Sequence, residues 1–201
     1  MEIKRIKEII EKKGYTFFNL DKPYNLNIIG IRSKSNIPNS FDDKIIVIYR
    51  DNNGQERLLS FKATTDPGLY WLQHPMNIDG TIIMVPGQYK SCYKIGTHRG
   101  YKALQQVGSM TYVRDADRDK VLDFELINNP KKIITGVFAT NLHRANSDFE
   151  STQVDKWSAG CQVIADPVDF AMLMNVCDKS AELYGNKFSY TLLEEKDLEI
   201  S

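Results

Sequence analysis

Long apolar segments are absent from this sequence of 201 residues. No run of about 18 apolar residues occurs, so no membrane-spanning helix is predicted. The N-terminal residues MEIKRIKEIIEKKG are charged throughout and lack the apolar centre of a secretory signal. We therefore expect a protein that is made in the cytoplasm and reaches any extracellular target by another route.

Excess charge and paired cysteines are also lacking. The 26 basic residues balance 26 acidic ones, so no overall attraction to nucleic acid or to an anionic membrane is expected. Three cysteines, Cys92, Cys161 and Cys177, are odd in number and form no CxxC pair. A disulfide framework is therefore not predicted, and at least one thiol should be free.

Motifs for metals and nucleotides are missing as well. The sequence has no HExxH, no GxxxxGK[ST] and no GxGxxG, so neither zinc nor a nucleotide cofactor is predicted. Residues 115–119 (DADRD) begin like an EF-hand calcium loop, but Lys120 replaces the glycine of the sixth position and Leu126 the glutamate of the twelfth. We interpret this segment as a charged hairpin turn and predict no metal and no cofactor.

Short β-branched and apolar runs dominate the rest of the chain. Amphipathic helices are predicted at about 3–13, ending at Gly14, and at 167–184, between Pro167 and Gly185. The pattern favours one mostly-β (α+β) domain over residues 1–201 with a few helices. Strands are predicted at 27–32, 44–50, 57–64, 81–85, 109–114, 120–124, 133–142 and 188–193, with hairpin turns at 51–54 and 115–119.

Residues 143–163 (HRANSDFESTQVDKWSAGCQV) contain the strongest chemical signal. His143 ends a predicted strand, and a polar loop leads to Cys161. An imidazole next to a thiol can take its proton and so make the sulfur nucleophilic. Gly160 permits a tight turn before the cysteine, and the backbone N–H groups of Gly160 and Cys161 are candidates for an oxyanion hole.

This segment resembles the catalytic motif of L,D-transpeptidase (YkuD-like) domains. Those domains have a histidine, a loop of similar length and then Ser/Thr-His-Gly-Cys, which His143, Ser158, Gly160 and Cys161 match. Ala159 replaces the second histidine, so that residues 158–163 (SAGCQV) look similar to phage-type cell-wall lysins of the superfamily.

The resemblance implies a YkuD-like β-sandwich or barrel with peripheral helices. It also implies a reaction in which Cys161 attacks a peptide carbonyl of a peptidoglycan stem and His143 is the general base. The resulting thioester is resolved by an amine or by water. The Arg144 carbonyl would orient the imidazole, and Ser158 and Gly160 would line the turn of the nucleophile.

A second polar cluster lies at residues 96–101 (GTHRGY). We interpret it as a substrate-binding loop in which Arg99 grips a carboxylate of the peptide and Tyr101 adds contacts. A polar turn with incidental charges is the alternative interpretation. His98 is the rival candidate for the general base, and it is otherwise expected at the rim of the cleft.

Other interpretations of these residues remain open. Cys161 is also compatible with a small buried core residue, as we expect for Cys92 and Cys177. The domain would then be a catalytically silent module that binds peptide or glycan. A zinc peptidase that uses His98 and His143 is a third possibility. Since no export signal was found, the enzymatic interpretation favours a phage-encoded hydrolase over a resident crosslinking enzyme.

Overall fold

β-strands form most of the regular structure in the computed structural model, which describes residues 2–199. This confirms the mostly-β prediction. The strands are β1 (Asn27–Arg32), β2 (Asp43–Arg50), β3 (Glu56–Thr64), β4 (Thr81–Met84), β5 (Gly87–His98), β6 (Tyr101–Gln106), β7 (Met110–Asp115), β8 (Ile134–Gly136), β9 (Leu142–Arg144), β10 (Gln162–Ile164) and β11 (Phe188–Glu194).

Three α-helices accompany these strands in the described part of the chain: α1 (Ile3–Lys12), α2 (Leu69–Gln73) and α3 (Pro167–Tyr184). Short 3₁₀ turns occupy Phe124–Asn128, Pro130–Lys132 and Glu195–Leu198. The two helices predicted from the sequence are confirmed. None of the helices within residues 2–199 combines the length and the apolar character that a membrane span requires.

Eight strands close a barrel in the order β1-β11-β5-β6-β9-β10-β3-β2, while β4, β7 and β8 form a separate sheet in the order β4-β7-β8. Two neighbouring pairs, β1–β11 and β9–β10, are parallel. Parallel neighbours need a long crossover, and the polar loop between His143 and Cys161 provides it. The crossover brings the start of β10 beside β9.

The core lies inside the barrel and beneath α3. Tyr93, Tyr190, Leu104 and Leu173 are all fully buried in it. Helix α3 begins with Asp166, whose side chain accepts a hydrogen bond from the N–H of Val168. A second cluster on the outside of the barrel is formed by α1 and strands β1 and β2, through residues that include Ile6, Ile10, Ile29 and Ile46.

The predicted second hairpin is wrong. Residues 120–124 form no strand, and the N–H of Leu122 bonds to the carbonyl of Asn36. Strand β7 instead pairs with β4 and β8. Leu122 is buried with Ile83 and Val113, so the apolar residues of this segment reflect packing against the small sheet and not strand pairing.

The single strand predicted at 133–142 is divided. Its first part, β8, belongs to the small sheet, and its last residue begins β9 of the barrel. Between them the chain turns at Ala139, which has a positive φ of 59°. As a result, His143 lies in the middle of a three-residue strand and not after a long one.

Candidate active site

The turn that carries Cys161 is held by Ser158. The buried Ser158 hydroxyl donates to the carbonyl of Cys161 at 2.8 Å and accepts from the N–H of Gly160 at 3.1 Å. The N–H of Gly160 is therefore already used within the turn, and this corrects its predicted place in an oxyanion hole. The N–H of Cys161 remains the candidate donor from this turn.

Gly160 is required by both conformation and space. Its φ is +116°, and an added Cβ would lie 2.6 Å from Ile82 Cγ1 and 2.8 Å from the Ile82 carbonyl oxygen. Strand β4 thus packs directly against the backbone of the turn. The glycine lets the turn approach the small sheet closely and fixes the position of the cysteine that follows.

We expect Gly160→Ala to lower the free energy of unfolding by about 2–5 kcal/mol, because it adds backbone strain to a steric clash. Gly54→Ala is the matched control. Gly54 also has a positive φ, +76°, but no atom lies within 4 Å of an added Cβ, so a loss of only about 1 kcal/mol is expected. Denaturant unfolding of both variants measures the difference, and equal losses would contradict the proposed clash.

The imidazole of His143 is oriented by a backbone carbonyl. Its Nδ1 lies 2.7 Å from the carbonyl oxygen of Arg144 and 3.2 Å from the Tyr101 hydroxyl. A carbonyl can only accept, so Nδ1 carries the proton and Nε2 is left as an acceptor. His143 is 1% exposed, and within the described residues its buried Nε2 has no hydrogen-bond partner. Nε2 is therefore the free acceptor of the ring, and no hydrogen bond joins it to Cys161 Sγ among residues 2–199.

Strand register places Cys161 and His143 on one face of the β9–β10 pair. His143 pairs with Val163, and side chains alternate between faces along a strand, so Cys161, two residues before Val163, shares that face. The packing agrees, because Cys161 contacts a cluster that contains Val163 and Ala145. The sequence segments that were expected to meet are thus neighbours in the fold.

The thiol itself contacts a segment that the sequence did not indicate. Cys161 Sγ donates a hydrogen bond to the carbonyl oxygen of Ala139, at 3.7 Å. Buried Gln106 holds this segment, because its Oε1 accepts from the N–H of Phe138 at 3.0 Å and of Thr140 at 2.9 Å. A lone glutamine at the end of a strand gives no sequence signal for such a role.

His98 and His143 lie face to face, with ring centroids 3.9 Å apart and an interplanar angle of 9°. Asn141 fixes the tautomer of His98. Its Oδ1 accepts from the N–H of Gln106 at 2.9 Å, so its Nδ2 is the donor to His98 Nδ1, at 3.1 Å. The Nε2 of neutral His98 then carries the proton, whereas in His143 the proton is on Nδ1. Within residues 2–199, the two rings belong to no group of three metal-ligating side chains.

The predicted binding loop at 96–101 is a tight β-hairpin. His98 ends β5, Tyr101 begins β6, and Arg99 and Gly100 form a two-residue turn with φ of 47° and 87°. Positive φ at both central positions is the signature of a type I′ hairpin turn. The exposed Arg99 projects from this turn, while His98 and Tyr101 face the neighbouring strand β9 through their contacts with Asn141 and Arg144.

A polar groove lies beside the two histidines and includes Arg99 and Arg144. The Arg144 guanidinium packs over the Tyr101 ring, 4.2 Å from its centroid. A second groove lies on the other side of Cys161 and is lined by Ile82, Arg114, Phe138, Ala139 and Ala159 among others. His143 thus lines a polar groove that contains Arg99, Arg144 and Asp148, and Cys161 lines a mainly apolar one.

Both reacting groups are held in their neutral forms. Burial raises the pKa of the Cys161 thiol to about 11, although the Asn141 backbone and Arg99 oppose the rise. Burial, reinforced by His98, lowers the pKa of His143 to about 3. At pH 7 the pair is therefore neutral thiol plus neutral imidazole, and the same burial that keeps the ring unprotonated also makes it a weak proton acceptor. Of the other thiols, Cys92 and Cys177 are fully buried, as predicted.

Comparison of the chain with models of protein families, with curated proteins and with solved structures found no match. What the site can do chemically follows from its own residues. A neutral imidazole has a free acceptor nitrogen, a thiol shares its face of the sheet, and two guanidinium groups line the adjacent groove. This combination suits nucleophilic attack on a carbonyl of a substrate that carries a carboxylate.

Proposed function

We propose that the protein is a cysteine-dependent acyl-transfer enzyme that acts on peptidoglycan stem peptides. One observation supports this most strongly: the Nδ1–H of His143 is held by the Arg144 carbonyl, while its buried Nε2 has no partner among residues 2–199. A buried acceptor without a partner is costly in a purely structural residue. In a general base it is the atom that receives the proton.

In the proposed reaction, Cys161 Sγ attacks a peptide carbonyl carbon as its proton moves to His143 Nε2. The C–N bond then breaks, and the proton passes from His143 to the departing amine. The product is a thioester on Cys161. Water or a second amine attacks this thioester, loses its proton through His143 and releases the thiol. Water gives hydrolysis, and an amine gives a crosslink.

Arg99 and Arg144 supply the recognition of the substrate in this proposal. Stem peptides carry free carboxylates, and a guanidinium binds a carboxylate with two parallel hydrogen bonds. The mainly apolar groove that includes Ile82 and Ala159 would receive the part of the peptide on the other side of the scissile bond. The choice of peptidoglycan comes from the resemblance of residues 143–163 to YkuD-like domains, including their phage-type lysin variants.

Incubation with purified peptidoglycan, followed by mass analysis of the soluble and insoluble products, tests the proposal. We expect new peptide ends for hydrolysis or new crosslinks for transfer, together with an acyl adduct on Cys161. Cys161→Ala is the matched control and should give neither product. Unchanged peptidoglycan and an unmodified Cys161 after prolonged incubation would contradict the enzymatic proposal.

A catalytically silent binding module is the second candidate. The observation that favours it is the thiol itself, because its pKa is raised to about 11 and its hydrogen bond goes to the Ala139 carbonyl and not to an imidazole. The reactivity of the three thiols measures how accessible Cys161 is and at what pH it ionises.

We expect iodoacetamide to alkylate Cys161 faster than Cys92 and Cys177, which are 0% exposed. The rate should keep rising with pH beyond 8, because a thiol of pKa about 11 gains thiolate throughout that range. Mass spectrometry of labelled peptides between about pH 6 and pH 10 measures both rates. A plateau near neutral pH would show a preformed thiolate, and a Cys161 slower than both others would favour the binding module.

A further inference from the structure

Three aspartates converge where β7 ends, away from the candidate active site. Asp115 is the last residue of β7, Asp117 lies in the loop that follows, and Asp123 precedes the 3₁₀ turn Phe124–Asn128. One carboxylate oxygen of each lies within 4.8 Å of the others. Within residues 2–199, no other group of three or more His, Cys, Asp or Glu side chains meets at such distances.

Asp115 is the central member of this group, which we call the β7 carboxylate cluster (Asp115, Asp117 and Asp123). It is 1% exposed. Its Oδ2 accepts from the N–H of Asp123 at 3.2 Å, but its buried Oδ1 has no hydrogen-bond partner in the described chain. A buried carboxylate oxygen without a partner is costly unless a proton or a cation neutralises it.

In the described part of the chain, no cationic side chain neutralises the cluster. Among residues 2–199, the salt bridges within 4.0 Å involve other carboxylates. The neighbouring Arg114 points elsewhere, because its Nη1 donates to the Gly80 carbonyl at 2.8 Å and its guanidinium lies over the Phe138 ring.

We propose that the β7 carboxylate cluster binds a calcium ion. Ca²⁺ prefers six to eight oxygen ligands at about 2.3–2.6 Å in flexible geometry, and it accepts water in the remaining places. Carboxylates of graded exposure, from buried Asp115 to exposed Asp117, fit this preference. Mg²⁺ needs a near-ideal octahedron at about 2.0–2.1 Å and is usually held by only one or two carboxylates, so three converging carboxylates suit Ca²⁺ better.

The loop that starts at Asp115 lacks the glycine and the glutamate of an EF-hand, and its structure shows how the carboxylates meet without them. If Asp115 is counted as the first residue of the loop, Asp123 is the ninth. It contributes directly to the cluster, so no glutamate is required at the twelfth position. The left-handed turn falls at Arg118, with φ of 64°, and not at a glycine in the sixth position. Asp119 shapes the loop, because its Oδ1 accepts from the N–H of Val121 at 2.6 Å.

A bound ion at this position would brace one wall of the groove beside Cys161. Asp115 pairs with Thr81 at the start of β4, and a Cβ added to Gly80 would lie 2.0 Å from the Asp115 carbonyl oxygen. Ile82 of the same strand packs against Gly160. The cluster is therefore connected by direct packing to the turn of the nucleophile.

Calorimetric titration of the chelator-treated full chain with CaCl₂ tests the proposal. We expect one ion per chain with a Kd of about 10⁻⁶–10⁻³ M, and weaker binding of MgCl₂. Asp115→Asn and Asp123→Asn should each weaken binding at least about tenfold, because each removes one ligand charge. Asp119→Asn is the matched control, since it removes the same charge from the same loop but keeps the cap on Val121, and it should bind like the wild type.

Absence of binding at millimolar CaCl₂ would overturn the proposal, as would equal weakening by Asp119→Asn, which would indicate only the diffuse charge of the loop. If Asp115→Asn does not fold, the calcium affinity of Asp117→Asn is measured instead, because Asp117 is exposed. Wild-type affinity in that variant would exclude the cluster as the site. These measurements do not depend on activity toward peptidoglycan, so either proposal can fail alone.

Discussion

Cys161→Ala is expected to reduce turnover of peptidoglycan by roughly 10⁶-fold, the scale of loss when a covalent nucleophile is removed. The proposed reaction passes through a thioester on Cys161, and alanine offers no atom that can form it. Measurement of released peptides or of crosslinks gives the rate. The acyl adduct found by intact mass in the wild type should also disappear.

The fold should survive this substitution. Cys161 has intermediate exposure, and the turn around it is held by the Ser158 hydroxyl through backbone atoms of Gly160 and Cys161. Cys177→Ala is the matched control, because Cys177 is fully buried on the inner face of α3. It should lose about 1 kcal/mol of unfolding free energy and keep its activity, which is the reverse of the pattern expected for Cys161→Ala.

Wild-type activity in Cys161→Ala would remove the nucleophile from the proposal. Inactivity together with a large loss of stability would instead identify Cys161 as a core residue. The binding-module interpretation makes its own prediction, since the variant would then bind peptidoglycan as tightly as the wild type does and neither protein would change it.

Much of the fold could be predicted because local pattern and burial agree. The hairpin of β2 and β3 was indicated by the strand-like runs at 44–50 and 57–64 on either side of the turn at 51–54. Helix α3 was indicated by Pro167, Gly185 and apolar spacing. Strand β5 was missed, because its burial alternates irregularly and it contains exposed lysines such as Lys90 and Lys94. Its place in the sheet is set by long-range pairing with β11, which leaves little mark on local sequence.

The candidate site, like the fold, could be predicted only in part. His143, Ser158, Gly160 and Cys161 belong to one sequence segment, so their proximity could be expected. The stack of His98 on His143 could not, because it depends on the pairing of β6 with β9, which are 35 or more residues apart in the chain. Asn141 and Gln106 fix the histidine and the thiol through contacts of that same range.

His143→Ala is expected to slow acylation of Cys161 by roughly 10²–10⁴-fold, the usual contribution of a general base. The thiol of pKa about 11 carries little thiolate at neutral pH, so attack requires removal of its proton as the C–S bond forms. Stopped-flow or quenched mass analysis of the acyl-enzyme measures this step. His143→Gln, which keeps most of the buried volume, separates loss of the base from a cavity in the core.

His98→Ala is the matched comparison, because the two rings are stacked and only one is held by a carbonyl at Nδ1. In His98 the acceptor nitrogen is occupied by Asn141, so no lone pair remains in the neutral ring. We therefore expect His98→Ala to raise KM more than it lowers kcat, which is the pattern of lost binding and not of lost proton transfer. A larger loss of kcat in His98→Ala than in His143→Ala would exchange the two roles.

The pH dependence of kcat/KM distinguishes His143 from His98 as the general base. A base loses activity as pH falls through its pKa, because the protonated ring can no longer accept. Burial lowers the pKa of His143 to about 3. We therefore expect kcat/KM to persist well below pH 6.5 and to decline only as the pH approaches about 3. An acid limb below pH 6.5 that His98→Ala abolishes would assign the proton to His98, whose pKa is lowered by burial and by Arg99, and His143 would then orient that ring.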